Sequence, residues 1–306
     1  RELRARAEQQ PEPPSVPMVF EGNAPAHVEE NLWLRRCLET PAPESPSAPR
    51  VWLGAPNSIK GPTEAVLQPQ SGNHLLLVGQ REEALLALLG ISVVSLAAQY
   101  PPPRARFFIF DASPPDSVPR RFWEQLIRAI PHATTLVTHA TLDQTLTELG
   151  TDLDARVAAG HAGDAPATFL LLHGVQKFKK LRFEEDFGFS LDDPAKAVPA
   201  GALLNRIISE GAGVGFHVLC ACDTLNNVYR FLSRKALGEF ELRVLFQMSA
   251  NDSASLIDSP KANDLGLHRA LFYHESEGRL ETFRPYALPG GDWLETVARH
   301  LAPRER

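Results

Sequence analysis

This 306-residue sequence has little of what usually announces a function. Its three cysteines, Cys37, Cys220 and Cys222, supply neither a disulfide framework nor a metal-ligand spacing, which points to a reduced, cytosolic compartment. No apolar run reaches the length of a membrane span, because Leu85 to Ala98 is short and holds Gly90, Ser92 and Ser95; no signal peptide opens the chain either. Cationic excess is absent. A formal net charge of -6 argues against a free-standing nucleic-acid binder but leaves room for a local basic patch. There is no H-E-x-x-H for zinc and no G-x-S-x-G to mark a hydrolase nucleophile. The first residue is Arg1, not Met, so a fragment of a longer protein is expected, one whose full length could carry a membrane tether.

With 43% hydrophobic residues the chain can fill the core of one large α/β domain or two small ones. Residues Arg1 to Pro17 end in P-E-P-P-S-V-P and read as a linker. Residues 18–74 read as a lead-in: a short strand in M-V-F-E-G, a turn at Gly22 and Asn23, then a helix with Val28, Leu32, Leu34 and Leu38 as its apolar positions, and a strand at V-W-L-G-A-P joining the sheet in antiparallel fashion. From Leu75 to Pro289, strands that are apolar throughout alternate with stretches read as amphipathic helices, and a strand pair A-L-F-Y-H-E/G-R-L-E-T-F-R-P-Y follows. The expected fold class is a doubly wound α/β domain with a mostly parallel sheet covered on both faces; residues 290–306 form a C-terminal helix or tail. Ligands of such sheets collect beyond the carboxyl ends of the strands, where Gly79, Asp111, His173 and Asp223 should all lie.

The segment His74 to Leu89, H-L-L-L-V-G-Q-R-E-E-A-L-L-A-L-L, has the layout of a phosphate-binding loop: an apolar strand, a Gly-led polar joint, then a helix. Such a loop needs G-x-x-x-x-G-K-[ST], because glycines let backbone N–H groups curl round the phosphates, the Lys reaches the β/γ-phosphates and the hydroxyl holds magnesium. Here the eight positions are Gly79, Gln80, Arg81, Glu82, Glu83, Ala84, Leu85 and Leu86. Only the first Gly remains, both functional side chains are Leu, and two carboxylates stand where a polyanion would approach. Read alone, the segment is a strand-to-helix turn with Glu82 and Glu83 favourable in the first helical turn.

Further along, G-F-H-V-L-C-A-C-D-T-L and E-L-R-V-L-F-Q-M-S-A-N-D-S-A-S-L-I-D-S-P-K-A-N-D-L-G-L-H-R-A-L-F-Y resemble, in order, the sensor strand and C-terminal strand segments of the motor domain of FtsK/SpoIIIE-type translocases, in the wider FtsK/HerA group of P-loop ATPases. P-H-A-T-T-L-V-T, with a helix ending near Arg156, is similar to another segment of that family, and the resemblance covers roughly Val51 to Pro289. It implies a RecA-like P-loop fold, an ATP and magnesium site, a hexameric ring of motor domains, and DNA threaded through that ring.

The same resemblance locates the departures. T-F-L-L-L-H-G occupies the hydrolysis strand, so His173 stands for the magnesium-organising Asp and Gly174 for the water-polarising Glu; the sensor Gln and Arg fall on Asp223 and Thr224, and a further Arg on Ala212. Phosphoryl transfer is mostly positioning and charge neutralisation, so their joint loss implies a catalytically degenerate copy with no catalytic residue, no metal site and no required cofactor. Arg81 leaves room for ATP/Mg at low affinity. Such a domain would serve a structural, assembly or regulatory role beside other domains of its polypeptide or homologous motor domains; an active translocase with an unorthodox site and a protein-interaction scaffold are the alternatives. Lys177, Lys179, Lys180 and Arg182, with Phe178 and Phe183 between, are candidate DNA contacts or else a solvated loop. Arg243 is a candidate subunit contact or an internal ion pair. His173 reads most simply as a hydrogen-bonded rim residue, Cys220 and Cys222 as packed on one face, and Asp111, Asp223 and Asp252 as caps of helices or turns.

Overall fold

In the computed structural model, residues 24–40, 44–58, 60–160, 163–184 and 198–302 are described. The expected linker, the M-V-F-E-G strand with its turn, and the acidic part of the segment after Arg182 fall outside them, apart from Glu184. Nine α-helices are present among the described residues: α1 (Leu32–Glu39), α2 (Glu82–Gln99), α3 (Val118–Ala129), α4 (Leu142–Ala159), α5 (Ala200–Glu210), α6 (Leu225–Phe231), α7 (Arg234–Gly238), α8 (Ala250–Ile257) and α9 (Gly291–Leu301). The strands are β1 (Arg50–Pro56), β2 (Thr63–Val66), β3 (Leu75–Val78), β4 (Ala105–Asp111), β5 (Ala133–Val137), β6 (Ala167–His173), β7 (Phe216–Cys222), β8 (Leu242–Leu245), β9 (Ala270–His274) and β10 (Arg279–Pro285).

All ten strands join one sheet in the order β2-β1-β10-β9-β8-β3-β7-β6-β4-β5. The block from β8 to β5 is parallel, as continuous apolar strands linked by helices require. From β9 to β2 the pairing is antiparallel, with β9 and β10 as the hairpin expected from sequence. The lead-in strand β1 does not reach the parallel block directly. It pairs with β10, so the beginning and the end of the domain are stitched together at Gly54 and Pro285.

Successive side chains of a strand point to opposite faces, and the burial follows that period. Leu75 and Leu77, Phe107 and Ile109, Phe169 and Leu171, Leu219 and Ala221 pack with α1, α2, α3 and α9 on one face. Leu76 and Val78, Leu170 and Leu172, Cys220 and Cys222 pack with α4 and α5 on the other. The two cysteines do share a face, and burial pushes the Cys222 thiol up to about 12, so both remain inert core groups.

Two sequence expectations need correction. Helix α2 is not amphipathic: every residue from Leu85 to Ala98 is buried, because the helix lies between the sheet and the outer helices. It is long and apolar enough to cross a membrane by composition, yet that apolarity is consumed by packing inside the fold. In α1, Leu34 and Leu38 face the core, whereas Leu32 is 58% exposed. The helix begins at Asn31, whose Oδ1 accepts from the backbone N–H of Trp33 and Leu34, and this cap puts Leu32 on the outer side. Helix α9 is no loose tail, since Leu294 and Val297 join the first core.

Candidate functional site

The carboxyl ends of the parallel strands bring together four of the positions singled out in the sequence. Gly79 follows β3, Asp111 ends β4, His173 ends β6 and Asp223 follows β7. Asp111 and His173 are register partners across β4 and β6.

At the β3–α2 joint only Gly79, Gln80 and Arg81 separate strand from helix. Gly79 is required by close approach: a Cβ there would come within 2.5 Å of the Phe246 Cβ. Its N–H donates to Cys222 O at 3.0 Å and the Phe246 N–H donates to Val78 O at 2.9 Å, which pins the joint to β7 and to the end of β8. Arg81 is the helix N-cap residue and Leu85 donates to its carbonyl at 3.0 Å. Glu82 and Glu83 form the first turn, where carboxylates suit the helix dipole, and Leu85 and Leu86 are already core residues. A cavity of about 340 Å³ adjoins the joint, lined by Arg81, Glu82, Phe246, His268, Tyr286 and Leu288 among others.

At the ends of β4 and β6 lies a buried polar cluster. Asp111 Oδ1 meets His173 Nδ1 at 3.3 Å and accepts from the Ser113 hydroxyl at 2.6 Å; Asp111 Oδ2 faces Arg120 Nε at 3.0 Å. Burial alone would raise the Asp111 pKa, but the donors on His173 and Ser113 outweigh it and hold the carboxyl below its usual range. The carboxylate charge is therefore balanced inside the chain: Oδ1 takes the His173 and Ser113 contacts, while Oδ2 has the Arg120 charge beside it but no hydrogen-bond donor among the described residues. Asp111 does hold a turn through Ser113, as read from sequence, but its second partner on β6 and its third on α3 were not foreseen. The spacing of Asp111 and Ser113 at a strand end was the available signal for the turn. Nothing local marks Arg120.

The turn after β6 closes over the joint. Gly174 is left-handed at φ 83°, a conformation that favours glycine over the Glu of the family pattern. Lys177 then forms an ion pair with Glu82, and the resulting hydrogen bond is the main reason the Glu82 carboxyl titrates below its ordinary value. This pair links the turn after β6 to the first turn of α2, although β7 lies between the two strands.

The basic segment folds as two short 3-10 turns, Val175–Lys177 and Lys179–Leu181. It is not the solvated loop of the plain reading, and its first aromatic is not available to stack on bases: Phe178 is fully buried, against Phe110 and His139. Lys180 pairs with Asp143 at 2.5 Å, while Lys179 and Arg182 are exposed without an acidic partner among the described residues.

The remaining positions are structural in their contacts. Asp223 accepts from Asn227 Nδ2 at 2.8 Å, and the Thr224 hydroxyl caps α6 by accepting from the Asn227 N–H at 3.3 Å. Asp252 lies in the first turn of α8, whose cap is Ser249. Ala212 precedes β7, at the amino end of the strand whose carboxyl end leads to Asp223. Arg243 donates to Phe240 O at 2.8 Å and to Leu256 O, and pairs with Glu275 at 2.5 Å, an internal ion pair. Arg156 is 4% exposed, stacks on Phe216 at 4.5 Å and donates to Val214 O, Pro166 O and Asp152, which ties α4 to the amino ends of β6 and β7. Among the described residues no group of three His, Cys, Asp or Glu side chains is arranged to hold a metal ion.

No protein-family model matches the chain, and no curated protein matches it in sequence. Solved structures do match in shape. The cytoplasmic domain of the type VII secretion ATPase EccC of Thermomonospora curvata superposes with a TM-score of 0.61 at 17% identity over 88% of this chain and 32% of that one. ATPases 2 and 3 of EssC from Geobacillus thermodenitrificans give 0.59 at 13% identity over 95% of this chain and 51% of theirs. The pCW3 conjugation coupling protein TcpA, solved with ATPγS, gives 0.59 at 12% identity over 81% and 70%. The chain thus has the P-loop ATPase-domain fold that the FtsK/HerA resemblance implies, and it spans about a third of the EccC cytoplasmic domain and half of the EssC fragment.

Proposed function

We propose that this chain is one ATPase-fold domain of a larger multi-domain motor, in which it supports assembly or regulation rather than turnover of its own. The observation that carries this reading is the β3–α2 joint. With helix beginning at Glu82, the positions that should supply the Lys and Ser/Thr are Leu85 and Leu86, both inside the core, and no loop remains to wrap a phosphate chain. The same reading accounts for the Glu82–Lys177 pair and for Asp111 lying between His173 and Arg120, which balance the site's charges from within the chain. Residues 18–289, with α9 packed into their first core, would form the domain, and homologous motor domains, in a ring or in tandem, are its natural neighbours.

The test is titration calorimetry of the purified chain with Mg-ATP and with ATPγS. No saturable heat at millimolar nucleotide is expected. Magnesium-dependent hydrolysis that disappears on changing Arg81 or Gly79 would sink the proposal. It would favour the second reading, an active translocase whose nucleotide sits in the cavity beside Arg81 and His268.

A further inference from the structure

The sequence segment Leu225 to Gly238 contains three cations, Arg230, Arg234 and Lys235, and no acid. All three are exposed, and none has an acidic partner among the described residues. They adjoin Lys179 and Arg182, because the Phe183 N–H donates to Arg230 O at 3.0 Å and because Asn205 of α5 accepts from the Ser233 N–H at 2.7 Å while Gly201 of the same helix abuts the Arg182 carbonyl. Glu184 is the one exposed acid in the described part of these two segments. Apolar groups stand with the charges: Tyr229 is 54% exposed and Val198 57%. The surface is thus not the K-F-K-K run itself, two of whose lysines are engaged by Glu82 and Asp143, but a wider one completed by α6 and α7.

We propose that this surface docks an acidic protein segment with interspersed apolar side chains, in a partner protein or a neighbouring domain of the motor. The proposal does not rest on whether the nucleotide site is dead. Arginines beside an exposed tyrosine have the composition of a protein-binding hot spot, and arginine forks hold carboxylates in bidentate geometry. A surface that only followed a phosphate backbone would need the charges but not Tyr229 and Val198. Charge complementarity selects the partner: a chain of net charge -6 that concentrates here cations with no acidic partner among the described residues repels acidic molecules elsewhere and accepts them at this place.

The probe is a fluorescein-labelled synthetic peptide of Glu and Asp alternating with Leu and Phe, titrated with the full chain and followed by anisotropy at low and high salt. Saturable binding is expected, weakened at least about tenfold by high salt and by the double change Arg230→Glu, Arg234→Glu. Tyr229→Ser should weaken it at both salt concentrations. The Gln/Asn version of the peptide should not bind. Unchanged melting of each variant confirms that the exposed substitutions leave the fold intact. Failure of the acidic peptide to bind overturns the proposal, as does tighter binding of a short duplex DNA that ignores Tyr229→Ser, which would make the surface a nucleic-acid contact.

Discussion

Arg156 has the most to lose of any single side chain. Its guanidinium is buried on Phe216 with its donors distributed among Asp152, Val214 O and Pro166 O, so Arg156→Met leaves those acceptors unmatched and Asp152 with Arg106 alone. A loss of about 3–5 kcal/mol is expected from removing one partner of such a network, read as a lower urea midpoint at unchanged m-value. His74 and His217 make a second prediction. His74 Nδ1 accepts from the Val218 N–H at 3.0 Å, so its proton sits on Nε2, facing Ile208 O at 2.8 Å; His217 Nδ1 lies 3.0 Å from Asn73 O. Burial pulls their pKa values down to about 3 and about 4. Because the folded state refuses protons that the unfolded chain takes up near pH 6.5, their stabilising contribution is complete above that pH and is lost as pH falls toward 4. Together they should cost on the order of 5 kcal/mol between pH 6.5 and 4.5, and His217→Gln should flatten the slope of stability against pH. At this scale the sequence told where residues sit along strands and little about whom they meet. His173 was legible as a strand-end residue, but its meeting with Asp111 depends on a register set between strands with two helices and another strand in between.

Helix α2 shows how an element can preserve a motif's place after losing its chemistry. Restoring the letters alone, through Ala84→Gly, Leu85→Lys and Leu86→Thr, would put an ammonium at a position 6% exposed and a hydroxyl at one 1% exposed. We expect a destabilisation of about 3 kcal/mol or more in chemical denaturation and no gain of nucleotide affinity, since the joint itself would remain three residues long. Gly174→Glu should add backbone strain of about 1–3 kcal/mol at the other side of the site, where φ is 83°. The elements themselves were readable. The boundaries of α4 and the strand pair β9–β10 follow directly from apolar period and turn residues, and Gly160 closes α4 in the left-handed conformation. What period alone misjudged was α2, because a helix apolar on all sides looks like one face of an amphipathic helix until its second layer of neighbours is known.

For the molecule as a whole, hydrogen exchange should be graded by position in the sheet. Amides of β3, β6 and β7, each flanked by strands on both sides, should open only with global unfolding, whereas β2 and β5 at the two edges should exchange first. Equal protection across the sheet would contradict this. The parallel block was legible from its uniform apolar strands, but the place of β1 was not, since its partner β10 comes from the far end of the chain. The same sheet order bears on how the protein is made. β3 is hydrogen-bonded to β7 and β8, both synthesised long after it, so a nascent chain carries Leu75 to Val78 without either neighbour until Cys222 has left the ribosome and with one edge open until Leu245 follows. High contact order of this kind slows closure and prolongs the interval in which an open edge can pair with another chain. The strand at the centre of the finished fold is therefore the one that most needs a chaperone while the fold is unfinished.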